Sequence, residues 1–221
     1  MKKLVIIGGH GNGTVVASTV LDINKRKPQW EILGWLNDFE SEPINGFPVL
    51  GKVQKSKIEE LLEDPEIYFF YALISLKMNH RFLFKLTDLD IPKDRFATLV
   101  HPTAVVSDHA TLGVGTCIQP FVSVGPNVNV GDHVQIYAQS LIGHGATLKN
   151  YSYVANNACI GAHVILEEGA YLGTNCTTLE NITLGSWSVA GIGSVVIRDV
   201  AAYCTVVGNP ARVIKNSSEE N

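Results

Sequence analysis

A pattern of six residues repeats without a break through the second half of this 221-residue chain. Steps of six from Val106 to Ala202 pass through 17 positions, of which 14 are Val, Ile or Leu. The residue two places before each of these positions is small or β-branched, from Ala104 to Val200. An amphipathic α-helix cannot produce this pattern, because 3.6 residues per turn loses phase with a six-residue step within two repeats.

The repeat predicts a left-handed parallel β-helix, a triangular prism in which each hexapeptide forms one short strand and one corner. Three hexapeptides close a coil of eighteen residues, and each coil pairs with the coils above and below it. The span from Val105 to Val200 supplies a little over five coils with no inserted loop. We expect an unusual backbone conformation at the glycines that follow the aliphatic position, because glycine tolerates sharp corners. These glycines are Gly113, Gly125, Gly131, Gly143, Gly161, Gly173, Gly185 and Gly191.

Residues 1–97 have a different pattern, in which apolar strands alternate with helices, whereas residues 98–221 form the β-helix domain. The predicted strands are Leu4–Ile7, Ile32–Leu36 and Ile67–Ile74, and the predicted helices are Thr14–Lys25, Lys55–Leu62 and Asn79–Leu86. This order predicts an α/β half-Rossmann domain with a parallel sheet and helical crossovers.

The turn after the first predicted strand is rich in glycine and reads GGHGNG from Gly8 to Gly13. Such a turn lets a phosphate or a sugar approach backbone amides at the start of a helix. The turn does not match G-x-G-x-x-G, and a half-Rossmann domain lacks the second half that a dinucleotide uses. We therefore expect a mononucleotide or a nucleotide sugar; the alternative is that the glycines only make a tight turn.

Charge and composition exclude several classes of partner. The net charge of −4 and the pI near 6.0 do not provide the basic field of a nucleic-acid-binding protein. The longest apolar run, Ile67–Leu76, is about half of what spans a bilayer, so we expect a cytoplasmic protein without membrane insertion. The four cysteines lie far apart without a C-x-x-C pair, which favours reduced thiols and no metal site.

The hexapeptide repeats and the ending TVVGNPARVIK resemble those of the trimeric hexapeptide-repeat acyltransferases. Over nearly the full chain the two halves are similar to the bacterial sugar O-/N-acetyltransferases. That family contains the UDP-4-amino-sugar N-acetyltransferase of bacillosamine synthesis and the sialic acid O-acetyltransferases. The resemblance implies a homotrimer with acetyl-CoA in the groove between adjacent prisms and a sugar acceptor on the N-terminal domain.

The resemblance also implies the residues of the acceptor site. The family's first turn typically reads G-x-x-G-H-G, and an asparagine stands here in place of its histidine. The acidic pair that follows the family's second strand is only half acidic in this chain. The implied acceptor-binding residues are His10, Gly11, Asn12, Asn37, Asp38 and Ser75.

Acetyl transfer to an amine or a hydroxyl needs a base, and histidine is the usual one. Among the seven histidines, His144 follows Ile142 and Gly143, so the period places it on a corner and directs it outward. It also lies where the sugar acetyltransferases carry their base, in a segment that here reads LIGHGATLKN. The acidic residue that often follows this base is replaced by Gly145, and a second family histidine is replaced by Tyr153.

The coil length predicts what orients His144. Residues eighteen positions apart stack about 4.8 Å from each other, which brings Asn127 beside Gly145 and close to His144. Asn127 is therefore the expected acceptor for the imidazole. A backbone carbonyl and a carboxylate of an adjacent subunit remain alternatives.

For acetyl-CoA, the resemblance implies contacts on the later coils, with Gly191 leaving room for the pantetheine arm. The implied residues are Tyr153, Thr174, Gly191 and Ile192. The leading hypothesis is acetyl-CoA-dependent N-acetylation of a nucleotide-linked amino sugar for surface glycans, with O-acetylation of a sialic acid or a related sugar as the nearest alternative. A metal-dependent hydratase and a non-catalytic binding protein are remote alternatives on the same fold.

Overall fold

The computed structural model describes residues 1–73 and 86–216. The chain divides into two compact units, Met1–Pro102 and Thr103–Asn221. No helix within the described ranges has the length and apolar character needed to cross a membrane.

The N-terminal unit is built on a parallel sheet of four strands in the order β3-β2-β1-β4. Its elements are β1 (Lys2–Ile7), α1 (Asn12–Arg26), β2 (Trp30–Leu36), β3 (Val49–Gly51), α2 (Lys55–Leu62), β4 (Ile67–Tyr71), a 3₁₀ turn (Lys93–Arg95) and β5 (Leu99–Val100). The predicted α/β class and parallel sheet are confirmed. Strand β3 was not predicted, and residues 74–85, which include most of the expected helix after β4, lie outside the described residues.

Strand β1, which lies inside the sheet, supplies fully buried apolar side chains to its core. Leu4, Val5, Ile6 and Ile7 are all fully buried, which is expected where helices cover both faces of a parallel sheet. The apolar side of α1 supplies Val16 and Val20, which are also fully buried. Parallel strands point their carboxyl ends to one edge, so the turns after β1, β2 and β4 meet there.

The C-terminal unit is a left-handed parallel β-helix with three faces. The first face contains β6 (Val105–Val106), β9 (Ser123–Val124), β12 (Leu141–Ile142), β15 (Cys159–Ile160), β18 (Thr177–Thr178) and β21 (Val195–Val196). The second face contains β7 (Thr111–Leu112), β10 (Asn129–Val130), β13 (Thr147–Leu148), β16 (Ile165–Leu166) and β19 (Thr183–Leu184). The third face includes β8 (Cys117–Ile118), β11 (Gln135–Ile136), β14 (Tyr153–Val154), β17 (Tyr171–Leu172), β20 (Val189–Ala190) and β22 (Cys204–Gly208).

The pairing register confirms the coil of eighteen residues. Tyr153 pairs with Tyr171, and Leu141 pairs with Cys159, in each case with the residue eighteen places later. The aliphatic positions point into the prism, where Ile136 and Ile160 are fully buried. The antiparallel strand β23 (Ala211–Asn216) pairs with β22 and covers that edge of the third face.

The reason for the repeated glycines differs from the expectation. The positive φ angles lie two residues later, at residues such as Asn127, His163 and Gly145. At the eight repeated glycines, an added Cβ would instead meet the next coil; at Gly143, for example, it would lie 2.7 Å from the backbone nitrogen of Ala162. The glycines therefore permit close stacking of the coils rather than an unusual dihedral angle.

Candidate functional site

The three faces of the β-helix meet at three corners. Corner 1 follows the first face, corner 2 follows the second face, and corner 3 follows the third face and leads back into the first. His144 lies in the turn after β12, on corner 1, and its side chain is exposed as predicted. A Cβ at Gly125 would lie 2.9 Å from the His144 backbone nitrogen, so this glycine lets the preceding coil approach the histidine closely.

The ring of a second histidine contacts His144. His163 lies on corner 1 one coil later, and its backbone N–H donates to the His144 carbonyl at 3.0 Å. The two imidazole centroids are 4.9 Å apart and the ring planes are 85° from parallel. Gly145 permits this contact, because a Cβ there would overlap Nδ1 of His163. The coil length offered a signal for His163, since it lies one residue beyond the direct stacking neighbour of His144.

Asn127 is not the group that the structure places against His144. No hydrogen bond joins these two described side chains, although the backbone stacking has the expected register, with Gly145 N–H donating to the Pro126 carbonyl at 3.0 Å. Asn127 has a φ of 59°, and His163 has a φ of 56° in the same column. The ring of His163 lies over the preceding coil. Asn127 shares this positive φ, and its side chain forms no hydrogen bond with the His144 ring.

Two of the residues implied for acetyl-CoA binding stack on corner 3. Thr174 and Ile192 are eighteen residues apart, and Gly193 N–H, next to Ile192, donates to the Thr174 carbonyl at 2.8 Å. Thr174 is half-buried, whereas 79% of Ile192 is exposed. At Gly191 a Cβ would lie 2.6 Å from Cγ1 of Val207, so packing against β22 also requires a glycine there.

Tyr153 lies on the third face within a column of tyrosines. Its ring stacks on Tyr171 with centroids 4.6 Å apart and planes 9° from parallel, and Tyr137 lies 4.8 Å away on its other side. Burial raises the pKa of Tyr153 to about 12. The phenol is therefore a neutral hydrogen-bond donor near pH 7. The eighteen-residue step from Tyr153 to Tyr171 could have identified this stack from the sequence.

The expected acceptor site lies at the carboxyl edge of the N-terminal sheet. Helix α1 begins at Asn12, Gly11 precedes it with a φ of 80°, and His10 is exposed in the same turn. Within the described residues no side chain caps this helix, and its first turn contains no acidic residue. Its first amides can therefore donate to an anion.

The residues after β2 have defined roles at the same edge. Asn37 donates from Nδ2 to the Gly8 carbonyl at 3.0 Å and accepts from two following backbone amides, so it shapes the turns. Asp38 accepts from Val53 N–H at 2.9 Å.

A tyrosine that the sequence did not single out lies close to Asp38. Burial, followed by the nearby charge of Asp38, raises the pKa of Tyr71. Ser75 lies outside the described residues.

His144 and the corner 3 residues are on different corners of one prism, with the first face between them. Within the described parts of the chain, no group of three His, Cys, Asp or Glu side chains could hold a metal ion. These features define the class, a hexapeptide-repeat β-helix protein with an N-terminal parallel α/β unit.

Comparison with known proteins specifies this class further. Residues 3–78 match the family described as PglD N-terminal domain. A GDP-perosamine N-acetyltransferase of Escherichia coli O157:H7 is 35% identical over 127 residues, which cover 54% of this chain and 57% of that protein. Several acyl-[acyl-carrier-protein]–UDP-N-acetylglucosamine O-acyltransferases match over 42% of their length. The chain thus spans about half the length of the curated relatives it matches.

Solved structures match over nearly the whole chain. The acetyltransferase domain of PglB from Neisseria gonorrhoeae FA1090 has a TM-score of 0.84 and 25% identity, and the match covers 97% of this chain and 100% of that domain. The same domain has been solved in complex with acetyl coenzyme A. A mutant of perosamine N-acetyltransferase from Caulobacter crescentus shares the fold, with a TM-score of 0.85, 22% identity, and coverage of 96% and 97%. The predicted resemblance to hexapeptide-repeat sugar acetyltransferases is confirmed.

Proposed function

We propose that this protein is an acetyl-CoA-dependent N-acetyltransferase whose acceptor is a nucleotide-linked amino sugar. The observation that carries the proposal is the match of 97% of the chain to an acetyltransferase domain that has been solved with acetyl coenzyme A. The similarity to a GDP-perosamine N-acetyltransferase favours an amino sugar carried on a nucleotide.

In this mechanism His144 acts as the general base. The acceptor amine attacks the thioester carbonyl of acetyl-CoA, and His144 takes the proton that the amine loses. The tetrahedral intermediate then collapses, the carbon–sulfur bond breaks, and the leaving CoA sulfur takes the proton that His144 holds, which returns the imidazole to its neutral form. The products are the acetamido sugar and CoA. The enzyme contributes mainly by holding amine, carbonyl and imidazole in line.

We propose that each active site forms between two copies of the chain in a homotrimer. His144 and the residues expected to bind acetyl-CoA lie on different corners, so one prism does not bring them together. The first face, which separates these corners, exposes apolar side chains that a second copy can cover. Val105 is 68% exposed and Leu141 is 47% exposed on this face, and Leu179 on corner 1 is 51% exposed. Association on this face would place corner 1 of one copy beside corner 3 of the next.

The two substrates then divide between the two units. The start of α1 and Asp38 would bind the nucleotide part of the acceptor, with Asn37 holding the turn in shape. Acetyl-CoA would lie along corner 3, against Thr174, Ile192 and the third-face residue Tyr153. The pantetheine arm would pass Gly191.

The test is a screen of purified protein with acetyl-CoA and UDP-, GDP- and dTDP-linked amino sugars, followed by mass spectrometry. We expect one acetyl group on at least one amino sugar, and His144→Ala serves as the matched control for uncatalysed transfer. Parallel reactions with free sialic acids test O-acetylation. The proposal is wrong if sialic acid is acetylated and no amino sugar is, or if acetyl-CoA does not bind.

A further inference from the structure

The imidazole of His144 is exposed, so a contact that limits its rotation would help it to act as a base. A general base must point a ring nitrogen at the proton it removes, and a freely rotating side chain does so only part of the time. Among the described side chains, the aromatic ring that contacts His144 is that of His163, with the two centroids 4.9 Å apart. The near-perpendicular ring planes, at 85°, are typical of a packing contact between aromatic rings.

The position of His163 is determined by the backbone. Its φ of 56° places the side chain over the preceding coil, and its N–H donates to the His144 carbonyl at 3.0 Å. Gly145 lies directly beneath the ring and carries no Cβ, which would overlap Nδ1 of His163. The volume that a side chain at position 145 would fill is therefore occupied by the imidazole of His163.

We infer that His163 is a positioning residue that limits rotation of the His144 imidazole by packing against it. This inference rests on the proposed function, in which His144 is the base. His163 acts here through the shape of its ring. Phenylalanine, which retains a planar ring without nitrogens, should therefore replace it in part, whereas alanine should not.

A second histidine of the same geometry provides a control. His133 lies on corner 2 with the same φ of 56°, and its ring covers Gly115 as the ring of His163 covers Gly145. Its stacking partner is Tyr151, at 5.3 Å, rather than a candidate base. His133→Ala thus removes the same ring from the same kind of turn on a different corner from His144. Because His133 is 8% exposed whereas His163 is exposed, the folding of His133→Ala is verified by circular dichroism before its kcat is compared.

The experiment compares steady-state kinetics of the full-length His163→Ala, His163→Phe and His133→Ala proteins. We expect kcat of His163→Ala to fall about tenfold, with KM for both substrates within about twofold, because misplacement of a catalytic group lowers turnover more than binding. His163→Phe should retain most of the activity, and His133→Ala should be unchanged. In a His144→Ala background, His163→Ala should have no further effect. Equal losses in His163→Phe and His163→Ala, or an unchanged kcat in His163→Ala, would overturn the inference.

A spectroscopic measurement separates this inference from the proposed function. In protein labelled with ¹³C-histidine, the ring resonances of His144 report the packing whether or not turnover is observed. His163→Ala should shift the His144 resonance, whereas His133→Ala should leave it in place. If the resonance shifts but no amino sugar is acetylated, the packing stands and the proposed function fails. If His144→Ala abolishes acetyl transfer but its wild-type resonance does not respond to His163→Ala, the function stands and the inference fails.

Discussion

His144 and Thr174 lie on different corners of the same prism, on either side of its first face. Within one chain these two corners stay apart, because the prism between them has a core of buried aliphatic side chains such as Ile142 and Ile160. The proposed catalytic centre, which contains both residues, would therefore form between two copies of the chain.

The first prediction is that a charge on the first face disrupts assembly and activity together. Leu141→Glu places a carboxylate where the proposed interface is apolar, and burying an unpaired charge is costly. We expect monomers by light scattering at micromolar concentration and loss of acetyl transfer. Ile165→Glu is the matched control, because Ile165 is also an aliphatic strand residue, 37% exposed, but lies on the second face. A monomeric wild-type protein with full activity would contradict the prediction.

The second prediction is that His144→Ala lowers kcat by about 10²-fold or more while acetyl-CoA binding changes little, the usual scale for loss of a general base. Steady-state kinetics give kcat, and calorimetry gives the affinity for acetyl-CoA. Near-native turnover of the variant at neutral pH would mean that the amine arrives already deprotonated and that the protein acts only by positioning the substrates.

The six-residue repeat allowed most of the fold to be predicted from the sequence. A six-residue period places the aliphatic residue of each hexapeptide inside the prism, so the burial of Ile136 and the pairing of Tyr153 with Tyr171 both follow from counting. The N-terminal sheet was predictable for a similar reason, because Leu4–Ile7 is apolar without alternation.

The partner of His144 could not be obtained by counting alone. The eighteen-residue step located Asn127 correctly along the chain but did not include the positive φ of 59° at this position, which affects where a side chain can point. His163 was missed as a neighbour of His144 because counting alone does not show that its ring lies over the preceding coil. The short strand β3 was missed because Val49–Gly51 is too brief to show a period.

The third prediction concerns the acceptor. Asp38→Asn keeps an oxygen that can accept from Val53 N–H but removes the carboxylate charge at the carboxyl edge of the sheet. A hydrogen bond to a charged group contributes about 1.5–3 kcal/mol, so KM for the nucleotide sugar should rise about tenfold or more. KM for acetyl-CoA should not change. Asp22→Asn, on α1 and bound to Lys25, is the control. A parallel rise in both KM values would argue against separate binding regions.

The fourth prediction concerns stability at alkaline pH. Burial raises the pKa of the Cys117 thiol from its ordinary value of 9.0 to about 12. A group whose pKa is raised on folding contributes stability that is complete below its unfolded pKa and is lost as the pH rises toward the folded value. The free energy of unfolding should therefore fall above about pH 9, by about 1.4 kcal/mol per pH unit for one thiol.

Urea unfolding at pH 8 and pH 10, at one protein concentration, measures this effect. Cys117→Ala should show a smaller decrease than the wild type, whereas Cys159→Ala, which removes an exposed thiol, should show the same decrease. Identical pH dependence in Cys117→Ala and the wild type would assign the loss to other groups, among them Tyr153, whose pKa is also raised to about 12.

The fifth prediction tests the space beneath the His163 ring. Gly145→Ala places a Cβ where the imidazole of His163 lies, so the ring must move away from His144. Gly115→Ala is closely matched, because Gly115 has a φ of 69° against 67° for Gly145 and supports the ring of His133 in the same way. Both substitutions should lower stability by about 1–2 kcal/mol, the cost of a left-handed conformation for alanine.

Their effects on catalysis should differ. Gly145→Ala should reduce kcat about tenfold, as His163→Ala does, because both release the His144 imidazole, whereas Gly115→Ala should retain normal kcat once its folding has been verified by circular dichroism. Combining Gly145→Ala with His163→Ala tests whether the two losses of activity have the same cause. If they do, the double variant should lose no more activity than either single variant. Additive losses would mean that Gly145 affects turnover by another route, such as steric exclusion of the acceptor from corner 1.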